Sequence, residues 1–88
     1  MKVVQGGIEA ETKQCLDNIK ATLEKRGSSL DRVFKCTVMI EDMKEWPLMN
    51  EVYVTYFKKD HLPARSAIGA NGLALGASVE IECMATVD

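Results

Sequence analysis

The chain has 88 residues, 47% hydrophobic and 27% charged, with a formal net charge of −2. That length holds one domain, residues 1–88, and not two, and the composition excludes a disordered or low-complexity chain. The eleven Lys and Arg are dispersed and outnumbered by acidic residues, which argues against the basic patch that nucleic acid requires.

A chain of this size buries only about 60–65% of its unfolded surface, so oligomerisation is an expected source of added stability. Met1–Gln5 is short, and Val3-Val4 reads as the end of a strand, broken by Gly6-Gly7. From Ile8 the apolar positions Ile8, Cys15, Leu16, Ile19 and Leu23 recur at helical spacing, with Glu9, Glu11, Lys13, Asp17, Lys20 and Glu24 between them. Acidic residues crowd the first turns, Lys25-Arg26 closes the last, and Gly27 supplies a left-handed stop, so a helix is predicted over 8–26.

Ser28-Ser29-Leu30-Asp31 is a polar turn. Phe34, Cys36, Val38 and Ile40 then alternate with Lys35 and Thr37, which predicts a strand; Val33 and Met39 make its other face partly apolar. Asp42 with Glu45 resembles a capping box, and Pro47 is tolerated in a first turn, predicting a helix over 47–58 with Leu48, Val52, Tyr53, Tyr56 and Phe57 buried. The strand-helix-strand unit implies a parallel pair joined by a right-handed crossover.

In the last segment, Arg65 follows Pro63-Ala64 at the mouth of a strand, and Val79-Glu80-Ile81-Glu82-Cys83-Met84 alternates strictly, with Val79, Ile81 and Cys83 on one face. These two strands are expected to pair as a hairpin, bringing Arg65 and Glu80 together. The fixed fork of a guanidinium suits a carboxylate, and a glutamate suits water activation; the same two residues also read as an ordinary cross-strand ion pair. Asn71-Gly72 is the strongest local signal for the reversal.

Cys15, Cys36 and Cys83 have neither CxxC spacing nor a histidine cluster, so a metal site is not expected; each falls on an apolar face and reads as a reduced, buried thiol in the cytosol. No apolar run approaches membrane-spanning length, and the N-terminal residues have no signal-peptide pattern.

Pro63-Ala64-Arg65-Ser66 followed by Val79-Glu80-Ile81-Glu82 resembles the closing signature of the Rid family, also called YjgF/YER057c/UK114. Gly6-Gly7-Ile8, Cys15–Ile19, Val33–Val38 and Asn50-Glu51-Val52-Tyr53 extend the resemblance upstream. It implies an α+β, chorismate-mutase-like sheet with two helices on one face, in the order helix-strand-helix-strand-strand, assembled as a trimer with clefts between subunits. It also implies further N-terminal strands and a Tyr-Ser-Gln-Ala motif that this sequence does not contain. The reversal then falls near Leu75-Gly76, between strands over 65–71 and 78–86.

The activity implied by the resemblance is an enamine/imine deaminase, a hydrolase converting 2-aminoacrylate-type intermediates to 2-keto acids and ammonia without a cofactor. Arg65 would hold the substrate carboxylate, Glu80 the attacking water, and Asn50 a polar position at the cleft. Glu82 shares the strand parity of Glu80, so the motif alone separates them. His61 reads as a solvated loop residue, and Ala67 stands where some relatives carry a reactive cysteine. The competing readings are an endoribonuclease or translation-inhibitor type, a ligand-binding regulatory member, and a catalytically silent, truncated form.

Overall fold

The computed structural model describes residues 5–87, so the strand end read at Val3-Val4 lies outside the described residues. The elements follow as α1 (Gly7–Lys25), β1 (Val33–Ile40), α2 (Trp46–Tyr53), β2 (Ala64–Gly69) and β3 (Val79–Ala85). Both helices cover one face of a three-stranded mixed sheet of order β2-β1-β3.

The α1 C-terminus is built as its sequence requires. Gly27 adopts φ 81°, and the Ser28 N–H donates to the Leu23 carbonyl at 2.8 Å, closing a Schellman-type stop. One side chain on this helix departs from the expected pattern. Glu11 is buried and accepts the Ser78 backbone N–H at 2.7 Å, fastening α1 to the residue before β3.

β1 is the central strand, parallel to β2 and antiparallel to β3. Cys36, Val38 and Ile40 are buried beneath the helices. Phe34 breaks the expected alternation: a register irregularity between Val33 and Lys35 moves Val33 into the core and leaves Phe34 53% exposed. An extra residue on one strand reverses side-chain parity, so the residues before the irregularity change face while Cys36, Val38 and Ile40 keep theirs.

The expected hairpin does not form. β2 and β3 lie on opposite edges of β1, and the segment 70–78 crosses the end of that strand. There the Ala70 N–H donates to Ile40 at 2.9 Å, and the Glu41 N–H donates to Ser78 at 3.1 Å. Gly72 takes a positive φ of 93° but Asn71 does not, so the two-residue turn that Asn-Gly favours is absent. The chain reverses at Ala74–Gly76, where Leu75 and Gly76 have φ of 58° and 70°. That is near the position implied by the family resemblance, although the strands it joins are not neighbours.

In α2, Met49 and Tyr53 are buried while Leu48 is 42% exposed. The helix begins at Trp46, so its inward stripe runs through positions 46, 49, 50 and 53, and Leu48 falls out of phase. Asp42 accepts from the Lys44 N–H at 3.0 Å, capping the single 3-10 turn before α2 and not α2 itself. Regular α-helix ends at Tyr53 and tightens into a 3-10 turn over Val54–Tyr56, shorter than the expected 47–58. Among the described residues no helix is long and apolar enough to cross a membrane.

Candidate active site

Arg65 sits at the start of β2, where Pro63 fixes the approach of the chain. Its register partner in β1 is Cys36, so it shares the helix-covered side of the sheet. Because β2 is an edge strand, the guanidinium reaches the sheet margin beneath α2 and remains exposed. α2 meets it with three residues spaced for one helical stripe, Trp46, Asn50 and Tyr53.

The Arg65 Nη1–H donates to Asn50 Oδ1 at 2.6 Å, and Cζ lies 4.6 Å from the centroids of both the Trp46 and Tyr53 rings. Both distances are within cation–π range. Among the described residues no carboxylate pairs with this guanidinium. Beside it, Tyr53, Val54, Leu62, Pro63 and Arg65 line a cavity of about 220 Å³. A cation braced by an amide and two rings, with N–H groups beyond the Asn50 contact, has the chemistry of a receptor for a planar anion.

Asn50 and Arg65 are therefore brought together, with the amide oriented towards the guanidinium. Trp46 was missed from the sequence, and Tyr53, correctly read as buried, was not linked to Arg65; the spacing of 46, 50 and 53 after a helix start beside Pro47 was the available signal. Burial pushes the Tyr53 phenol above its usual range, and the neighbouring Cys36 adds to the shift. The Tyr53 hydroxyl is buried without a hydrogen-bonding partner among the described residues.

Glu80 is elsewhere. Its register partner is Met39, placing it on the face away from the helices, and Oε1 accepts the Ala74 N–H at 3.2 Å. Glu82 pairs with Thr37 on that same face, as strand parity requires, but is exposed while Glu80 is half-buried. His61 ends an exposed 3-10 turn, and Ala67 follows Arg65 on β2 opposite Val38.

The family model described as Endoribonuclease L-PSP matches residues 1–87. The chain belongs to that family. A RutC family protein of Pyrococcus horikoshii is 44% identical over 84 residues, covering 96% of this chain and 66% of the relative. The 2-iminobutanoate/2-iminopropanoate deaminase of Mus musculus is 40% identical over 84 residues, covering 96% and 62%. The crystal structure of YyfA of Yersinia pestis, described as a protein of unknown function of the conserved Rid protein family, superposes with a TM-score of 0.91 at 39% identity, covering 96% of this chain and 67% of that one. This L-PSP family chain thus has the fold of the Rid proteins and spans about two thirds or less of the length of these curated relatives. The family contains imine deaminases and also members described as endoribonucleases.

Proposed function

We propose that this chain carries the carboxylate-binding half of a cytosolic enamine/imine deaminase that hydrolyses 2-aminoacrylate-type intermediates to 2-keto acids and ammonia. The observation that carries the reading is the Arg65 guanidinium, held by Asn50 and two rings beside a cavity and free of any carboxylate partner among the described residues. A 2-imino acid offers the planar carboxylate that such a fork grips through two parallel hydrogen bonds. The similarity to the mouse deaminase supports the same substrate class.

In this reading water adds to the imine carbon, its proton passes to a base, the nitrogen is protonated, and the carbon–nitrogen bond breaks to release ammonia. Glu80 is the residue assigned to hold that water. The imine is already electrophilic, so positioning and an acid–base contribution of roughly 10²–10⁴ are sufficient. Since Arg65 and Glu80 face opposite sides of the sheet within one chain, their cooperation requires a subunit boundary, and we assign the site to a homotrimer. The open sheet face, with Phe34, Ile68 and Met84 each about half exposed, offers apolar surface for that contact.

The test is release of 2-keto acid from enzymatically generated 2-aminoacrylate, measured as the excess over hydrolysis in water. An excess that Arg65→Ala abolishes supports the reading, and an excess unchanged by Arg65→Ala overturns it. The endoribonuclease description of the family gives RNA cleavage as the second reading; cleavage that survives Arg65→Ala would mark a separate activity.

A further inference from the structure

Cys36 and Cys83 are directly opposite one another in the antiparallel β1/β3 pair, with their Sγ atoms 2.7 Å apart. We propose that they form a two-electron redox site, oxidised by a small hydroperoxide to a cross-strand disulfide and restored by a thiol reductant.

The backbone already satisfies the geometry. Directly opposed residues of an antiparallel pair have Cα atoms about 4.5–5.5 Å apart, inside the window of about 4.4–6.8 Å that a disulfide spans. The sulfurs face each other, so closing to the bond length of about 2.05 Å asks for side-chain adjustment and no strand movement. The third cysteine, Cys15, is on α1 and is not part of this contact.

Access differs between the two sulfurs. Cys36 is fully buried, whereas Cys83 is partly exposed and lines a groove of about 230 Å³ with Asn18, Ile19, Thr22 and Leu23. That volume exceeds several times the ~30 Å³ share of a water molecule, leaving room for hydrogen peroxide. The surroundings also favour a thiolate: the Cys83 S–H, Arg65 and Lys35 bring Cys36 down to about 7 against the opposing effect of burial. The same contact pushes the Cys83 thiol up, so the thiolate forms first on Cys36, and the exposed sulfur becomes the nucleophile once its proton crosses the 2.7 Å contact to Cys36.

The chemistry balances. The Cys83 thiolate attacks one peroxide oxygen, the O–O bond breaks, and hydroxide leaves and takes up a proton as water, giving Cys83 sulfenic acid. The Cys36 sulfur, losing its proton, attacks the Cys83 sulfur; the S–O bond breaks, and the departing hydroxide becomes the second water. Two thiols and one peroxide yield one disulfide and two waters, with the two thiol electrons reducing the O–O bond.

The test treats the whole chain with hydrogen peroxide and follows free thiols, intact mass and the non-reducing peptide map. The expected result is a fall from three thiols to one, a loss of two hydrogens in mass, a Cys36–Cys83 cross-linked peptide, and full reversal by dithiothreitol. Cys15→Ser should form the same cross-link, and Cys83→Ala should form none. Should Cys83→Ala fail to fold, the wild-type map decides alone. Oxidation that falls on Cys15, that links separate chains, or that leaves Cys36 and Cys83 unlinked while circular dichroism shows the fold intact overturns the proposal.

Discussion

Arg65 and Glu80 stand on opposite faces of the same sheet, on the two strands that flank β1. The strand that separates them also fixes their orientations, through Cys36 beside Arg65 and Met39 beside Glu80. Neither residue is thereby available to neutralise the other within one chain. The arginine is held by an amide and two aromatic rings, and the glutamate by a backbone N–H.

Arg65→Lys should weaken binding of a 2-keto acid roughly tenfold to a hundredfold, because a point ammonium cannot reproduce the fork and a hydrogen bond to a charged group contributes about 1.5–3 kcal/mol. Calorimetric titration measures this. Equal affinity for the two proteins would remove Arg65 from the anion site.

Trp46→Leu takes away one ring from the guanidinium while retaining an apolar side chain. Cation–π contacts contribute about 0.5–2 kcal/mol, so keto-acid affinity should fall several-fold with the fold intact by circular dichroism. Asn50→Ala should act in the same direction. Unchanged affinity in both would show that Arg65 needs no bracing.

Glu80→Gln should lower the enzyme-dependent release of keto acid while binding through Arg65 survives, whereas Glu82→Gln should change turnover little. A loss confined to Glu82→Gln would reassign the water-holding role. Equal losses would indicate a shared electrostatic effect.

Glu11→Ala leaves the Ser78 N–H without its acceptor beneath α1. An unsatisfied buried donor costs about 1–3 kcal/mol, and urea unfolding should show a loss of that order. A change within experimental error would mean that Ser78 finds another partner.

The thiolate absorbance of the folded protein should show a first step near pH 7, below the roughly 8.5 of a free thiol. The sign follows from the direction of the shift: a depressed value means that the anion of the Cys36–Cys83 pair appears on the acidic side of an ordinary cysteine. The groups on its own side of the sheet are Tyr53 from α2 and Arg65 from β2, while Lys35 from β1 and Glu82 from β3 act on it as charges from the opposite face. The second proton is held harder, since it would create a second charge against the first, so only one thiolate should appear in that range. Two steps above pH 8 would exclude the depressed value.

The helix from Ile8 and the strands β1 and β3 were legible because hydrophobic periodicity records which face of an element is covered, whereas β2, exposed along its length, was placed by the motif around Arg65. Periodicity does not record which strand lies beside which. Asn71-Gly72 therefore suggested a hairpin between segments that β1 keeps apart. Phe34 illustrates a second limit, since a register irregularity erases the alternation from which its burial was read. Arg65, Asn50 and Glu80 came from a motif, which names residues without giving their neighbours. The aromatic support of Arg65 depends on the phase of a helix only two turns long, and that phase is fixed by where the helix begins.

The order β2-β1-β3 also has a consequence for synthesis on the ribosome. β1 is made before both of its neighbours and is paired on one side once β2 has emerged, yet its antiparallel neighbour, Val79–Ala85, comes last of the three. Contacts so distant in sequence are slow to close. Until β3 leaves the exit tunnel, a nascent chain holds Cys36, Val38 and Ile40 on a strand still waiting for its antiparallel neighbour, and exposed apolar surface of that kind is what chaperones bind.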